Sequence, residues 1–343
     1  FRPPFVRAYA FPKRRVTAKR SSSTTAIPPP PRTSAPSPTA STTATEPRPA
    51  NVSRETFAVS GYGSGMKTVF VTGCSTGIGR ATAIEMARCG WRVIATARRA
   101  RDIADLPTIG AELRGEIATM VLDVLDQAAV RRTARAALRR FAPIDVLVNN
   151  AGYGQYGRVG DIPRDLLRRQ FDVNVMGVFG LIHEILPSMR RRRRGAIINV
   201  SSVVSHISLP GGGAYCATKF AIEALTDALR AEEAGSGIRV VSVQPGPIAT
   251  SFFETATRLA LRGGRAALPR AVEATGALRK KLQGVFTRSP ESVARVIRRA
   301  ATARRPRARY TITIPAKIVP LLRRILPSGV IDVLRRAMYQ RTG

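Results

Sequence analysis

From Met66 onward the apolar positions follow two patterns in turn. Short unbroken apolar runs are followed by longer stretches in which apolar residues recur every three or four positions. The first pattern reads as buried strand and the second as amphipathic helix. Strands are predicted at 67–72, 92–97, 117–122, 144–149, 196–201, 238–244 and 309–314. Helices fall between them at 77–89, 126–141, 163–190 (as two), 214–234 and 290–303. Strands apolar on both faces, alternating with helices, make a parallel sheet covered on both sides. The expected fold class is α/β: a doubly wound parallel sheet of Rossmann type, forming one domain over 66–315.

Both flanks break the pattern. Residues 1–65 hold 11 of the 24 prolines, a Ser/Thr/Ala tract from Ser21 to Thr45, and two acids, Glu46 and Glu55. Such a segment buries too little apolar surface to offset its ordering entropy, so a disordered low-complexity extension is expected. Its Arg-rich, Ser-rich, acid-poor start also resembles an organelle transit peptide, which would imply import. Met66, one residue before the first strand, is the favoured start, with a cytoplasmic location. Residues 316–343 read as an amphipathic basic segment, with Leu321, Leu322, Ile325 and Leu326 at helical spacing and arginines between. Docking on its own domain is the default; subunit pairing or peripheral contact with an anionic membrane are the alternatives.

Composition narrows the function. A chain of 343 residues, 44% of them hydrophobic, can build a large core. The net charge of +34 invites a nucleic-acid reading. However, 49 of the 56 basic residues are arginine, and they are scattered over nearly every predicted helix. That distribution reads as a solvated surface, so no nucleic-acid partner is expected. Three cysteines (Cys74, Cys89, Cys216) and two histidines (His183, His206) lack metal-ligand spacing, so neither disulfide scaffold nor metal site is expected. No apolar run is long enough to span a bilayer.

The first strand runs directly into TGCSTGIG, with Gly73, Gly77 and Gly79 before a helix. A strand, a glycine turn and a helix N-terminus form an anion site where a pyrophosphate can meet backbone N–H groups. After the second strand comes Arg98, with no acid until Asp102. A carboxylate there would select the 2′-hydroxyl of NAD(H), whereas arginine accommodates a 2′-phosphate, so NADP(H) is expected over NAD(H). Asp123 ends the third strand, placed to accept from the adenine amine, with Val124 beside it. Asn149, Asn150, Ala151 and Gly152 end the fourth strand, where small and amide residues let the backbone approach a ligand. Tyr215 and Lys219 lie four apart at the start of a helix, hence on one face, and Ser202 follows a strand. An ammonium near a phenol favours its anion, and a serine hydroxyl can hold the oxygen that exchanges a proton.

Together TGCSTGIG (72–79), NNAG (149–152), DVNVMG around Asn174, Ser202, YCATK (215–219) and PG (245–246) resemble the short-chain dehydrogenase/reductase family over about 66–255. The glycine spacing G-x-x-x-G-x-G matches that family's own. The resemblance implies hydride transfer between a nicotinamide and a carbonyl or alcohol carbon. Tyr215 would be the general acid/base, and Lys219 would lower its pKa while bonding the nicotinamide ribose. Ser202 would hold the substrate oxygen, and Asn174 would support a proton-relaying water. The cofactor would be bound by Gly73, Ser75, Thr76, Gly77, Ile78 and Gly79, by the groups above, and by Pro245, Gly246, Ile248 and Thr250 around the carboxamide.

Residues 247–287 are poorly periodic, and in the family this stretch is a mobile lid. Phe252, Phe253, Phe286, Leu209, Pro210, Tyr153 and Tyr156 are candidates for an apolar pocket. The sequence looks most like members related to hydroxysteroid and retinol dehydrogenases, so a lipophilic ketone or secondary alcohol is the expected small-molecule partner. A homo-oligomer is also implied. The competing readings are a basic nucleic-acid- or membrane-binding protein, or a non-catalytic NADP(H) sensor, on the same scaffold; the complete Asn-Ser-Tyr-Lys set argues against both.

Overall fold

The structure is a computed structural model that describes residues 65–262 and 287–340. The expected extension (to residue 64), most of the expected lid (263–286) and Phe286 lie outside the described residues. Seven strands form one parallel sheet: β1 Thr68–Thr72, β2 Arg92–Ala97, β3 Glu116–Val121, β4 Ile144–Asn149, β5 Gly195–Val200, β6 Ile238–Gln244 and β7 Arg309–Thr311. Their spatial order is β3-β2-β1-β4-β5-β6-β7. The chain builds outward from β1 to β3, then crosses back to lay β4 on the other side of β1. The connections after β1 and β4 therefore leave in opposite directions and open a crevice at the strands' carboxyl ends.

Strands β1 to β6 each feed two cores, because successive side chains point to opposite faces. Phe70 aligns with Ile94 on one side and with Leu147 on the other; Leu147 aligns with Ile197, and Ile197 with Val240. This row packs under α3 (Gln127–Phe141), α5 (Gly177–Arg192) and α6 (Gly213–Glu232). Val69, Val71, Val93, Val146 and Val148 point the other way, against α1 (Gly77–Arg88) and the helix Pro290–Thr302. Both faces are thus dry, and this is why the strands read as unbroken apolar runs.

The departures from the expected elements have local causes. A six-residue helix, α2 (Leu106–Ala111), was not predicted; with Pro107 and Gly110 it is too short to show a period. The predicted 163–190 pair is α4 (Arg164–Phe171) and α5, joined by a π-helical turn at Asp172–Met176. The poorly periodic lid begins with a helix, α7 (Phe252–Arg262). Pro290–Thr302 is α8. The last strand ends three residues early, because Thr313 Oγ1 caps the next helix by accepting from the Ala316 N–H at 3.4 Å. The C-terminal segment is two helices, α9 (Ile314–Ile325) and α10 (Ser328–Gln340), interrupted by Pro327.

Candidate active site

The glycine turn lies where β1 enters α1. Gly73 and Gly77 have φ of +72° and +57°, a region that side chains with a Cβ avoid. A Cβ on Gly79 would collide with the Gly73 carbonyl oxygen. No side chain caps α1, and its first turn carries no acid. Its leading N–H groups and positive dipole end are therefore directed at the crevice, in a cradle that a pyrophosphate fits.

NNAG does more than permit close approach: it ties together the carboxyl ends of the neighbouring strands β1 and β4. Thr72 Oγ1 accepts from the N–H groups of Asn150 and Ala151, both at 2.9 Å. Asn150 Nδ2 in turn donates to the carbonyls of Thr72 (2.9 Å) and Gly73 (3.3 Å). Asn149 donates to Asn199, and Asn199 to Thr226 on α6, each at 2.9 Å, which carries the brace across to the helix bearing Tyr215. Thr72 was not singled out in the sequence, although it directly precedes the glycine turn.

On the adenosine side, Arg98 is exposed and has no ion pair among the described residues. Asp102, the nearest acid, is held by Arg99 at 2.9 Å. Asp123 Oδ1 accepts from the Leu125 N–H at 3.0 Å, an Asx turn that fixes the loop after β3. Val124 is buried and packs against Gly177.

Across the crevice, α6 presents Tyr215 and Lys219 one turn apart, with Lys219 Nζ 5.7 Å from the phenol ring centre. Lys219 is buried, and its ammonium donates to the Val200 carbonyl at 2.8 Å. Burial pushes its pKa down to about 8, partly offset by Glu223. Burial raises the Tyr215 phenol, as does Tyr156, while a hydrogen bond with Ser202 opposes them. In this arrangement burial outweighs any lowering of the phenol: the Lys219 ammonium spends one of its three donors on the Val200 carbonyl, and the half-buried ring packs against Phe252 and Tyr156.

Ser202 Oγ accepts from the Val204 N–H at 3.3 Å and donates to the Pro245 carbonyl at 3.5 Å. Asn174 lies in the π-helical turn, where the Gly177 N–H reaches back to the Asp172 carbonyl. Its side chain is fully engaged: Oδ1 accepts from the Tyr153 N–H (3.0 Å), and Nδ2 donates to the Tyr153 carbonyl (2.9 Å) and Thr218 Oγ1 (3.1 Å). Thr218, within the Tyr–Lys turn, donates to the Tyr215 carbonyl at 2.8 Å and so ties Asn174 to α6. Neither Thr218 nor Gln170, which donates to the Tyr153 carbonyl at 2.6 Å, was anticipated; nothing in their local spacing marks them.

The stretch after β6 arches back to the glycine turn. A Cβ on Gly246 would strike Thr313, so only glycine fits. Ile248 pairs with Arg288 as an isolated bridge, and the Thr250 methyl stands over Gly77. α7 then lays Phe252 against Tyr215 (ring centres 5.3 Å apart) and Phe253 against Tyr156 (5.8 Å), while Tyr156 lies 6.4 Å from Tyr215. Leu209 is half-buried in the loop before α6, and Tyr153 has a buried hydroxyl without a partner among the described residues. Of the pocket candidates among the described residues, Phe252 and Tyr156 are the ones whose rings meet the phenol.

A cradle for phosphate at the switch point of a parallel sheet defines the doubly wound class that binds dinucleotides. A family model described as short chain dehydrogenase matches residues 67–259, and the chain belongs to that family. It is 36% identical over 270 residues to the uncharacterized oxidoreductase YbbO of Escherichia coli, covering 78% of this chain and 93% of that protein. Human retinol dehydrogenase 5 is 34% identical over 287 residues, 78% of this chain and 86% of that one. Among solved structures, a short-chain dehydrogenase from Streptomyces avermitilis superposes with a TM-score of 0.64 at 32% identity, covering 81% of this chain and 96% of that chain. The closed form of serine dehydrogenase complexed with NADP+ gives 0.61 at 25%, with 72% and 94% covered.

Proposed function

We propose that this protein is an NADP(H)-dependent oxidoreductase that interconverts a carbonyl and a secondary alcohol on a lipophilic small molecule, with Tyr215 as general acid/base. The observation that carries this reading is the Tyr215 phenol, half-buried against Phe252 and Tyr156 and one turn from Lys219, in the fold whose switch point holds the glycine cradle. The bound dinucleotide supplies or takes the hydride. In reduction, Tyr215 Oη donates its proton to the substrate oxygen as negative charge develops there. Burial favours this by keeping the phenol protonated until the substrate oxygen needs the proton. Ser202 Oγ donates a hydrogen bond to the same oxygen, and the Lys219 ammonium stabilises the phenolate left behind.

NADP(H) is favoured by Arg98, which has no ion pair among the described residues, and by the engagement of Asp102, the first acid after the strand, with Arg99. The NADP+ held by the related serine dehydrogenase supports the same choice. A lipophilic substrate is favoured by the aromatic wall of Tyr156, Phe252 and Phe253, and by the likeness to a retinol dehydrogenase. The test is Tyr215→Phe, assayed with NADPH across steroid, retinoid and aliphatic carbonyls. Turnover should fall about 10²–10⁴-fold with NADPH affinity kept. Wild-type turnover in the variant overturns the assignment.

A further inference from the structure

Each of the two C-terminal helices exposes a set of apolar side chains. On α9, Ile314, Ile318, Leu321, Leu322 and Ile325 recur at steps of three and four, so they line one side of the helix. Each is between 44% and 67% exposed. On α10, Val330, Val333 and Leu334 continue the pattern at similar exposure. Eight large aliphatic side chains exposed on two short helices are more than scattered surface apolars, and such a surface marks a place that meets something.

This face is not what holds the helices to the domain. Ala316 is buried beneath α9, and Thr313 at its start rests on Gly246. Arg323 donates to the His206 carbonyl at 2.7 Å and stacks over Phe220, and Arg335 donates to the Ser208 carbonyl at 3.1 Å. The pair is therefore clamped to the loop that joins Ser202 to Tyr215, with its stripe turned outward.

Charge indicates what covers the stripe. Lys317, Arg324 and Arg336 are exposed on the same helices. The single acid between 314 and 340 is Asp332, and Arg335 engages it at 2.9 Å. We propose that α9 and α10 form an interfacial anchor that lies flat on an anionic phospholipid bilayer. The aliphatic stripe would enter the acyl boundary, and the cations would meet headgroup phosphates. At 12 and 13 residues neither helix can cross a bilayer, and no described helix is long and apolar enough to do so.

Other occupants fit less well. A second copy would bring these cations against their own counterparts in a chain of net charge +34. Residues 263–286 carry one acid, Glu273, against Arg265, Arg270, Arg279, Lys280 and Lys281, and so have the same sign. Nucleic acid calls for aromatic stacking or a polar groove, and the stripe is aliphatic. The anchor requires no turnover, so it stands or falls separately from the proposed chemistry. Its consequence is that the loop leading to Tyr215 lies next to the membrane surface.

The experiment is flotation of the full chain with phosphatidylcholine vesicles and with vesicles that also contain phosphatidylserine, at low and high salt. Binding should require phosphatidylserine and weaken with salt. The double variant Leu321→Asp, Ile325→Asp should lose it. Arg324→Gln and Arg336→Gln should each weaken it about fivefold. Unchanged unfolding midpoints and NADPH titrations show that these surface variants remain folded. No binding to phosphatidylserine vesicles overturns the proposal. Equal binding by the Leu321/Ile325 variant overturns it too, because the basic surface alone would then suffice. A concentration-dependent dimer abolished by that variant assigns the stripe to a second copy, and loss of duplex DNA binding in its place assigns it to nucleic acid.

Discussion

Lys219→Met isolates the energetic consequence of burying an ammonium beside the phenol. Burial takes the Lys219 pKa from the ordinary 10.5 to about 8. A displacement of that size corresponds to about 3 kcal/mol between the protonation states. Between those two values the unfolded chain holds a proton that the folded protein lacks, so this group makes stability rise with pH across the window. Below about pH 8 both states are protonated, and the full burial penalty is present. Methionine removes the titration but orphans the Val200 carbonyl, at a cost of about 1–3 kcal/mol. The net difference at pH 7 is therefore small. The change in the difference is not: the parent should gain about 3 kcal/mol on the variant between pH 7 and pH 10.5. Urea unfolding of both proteins without cofactor, at unit pH steps across that range, measures it. Stability curves that run parallel for parent and variant would refute the claim that Lys219 is an ammonium buried at a cost.

Three further outcomes follow from the same geometry. The kcat/KM for carbonyl reduction should fall as pH rises through about 8 in the free enzyme, because deprotonated Lys219 no longer stabilises the phenolate; a flat profile would exclude that role. Arg98→Asp should weaken NADP(H) binding about 10–100-fold, the loss of one charged hydrogen bond, while leaving NAD(H) affinity unchanged or improved. Unchanged preference in a coenzyme titration means that another cation reads the 2′-phosphate. Gly79→Ala should cost about 1–3 kcal/mol in thermal unfolding, because the new Cβ drives apart Gly73 and the Asn150 amide. It should also lower NADPH affinity; retained affinity would show that the turn does not hold the phosphates.

Much of the site was legible because it is built from short local motifs. Gly73, Gly77 and Gly79 declare a left-handed turn and a close approach wherever they occur, and Tyr215 and Lys219 share a helix face by spacing alone. Arg98 follows its strand in the chain as it does in space. Residues whose partners are remote were not legible. Thr72 braces Asn150 from 78 positions away, Asn174 reaches Thr218 across 44, and Thr313 excludes any side chain at Gly246 from a different element. The short α2 and the early end of β7 were missed for a related reason: six residues are too few to establish a period, and a cap overrides strand propensity.

By itself the chain determined the class of fold and marked the candidate reactive groups, since period, glycine placement and motif order are local properties of a polymer. Tertiary structure alone decided how those groups behave. The packing around Tyr215, the burial of Lys219 with its bond to the Val200 carbonyl and the outward turn of the α9 stripe all depend on which atoms surround a side chain after folding. Solvation and charge are felt through space, not along the sequence, so no reading of spacing could have supplied them.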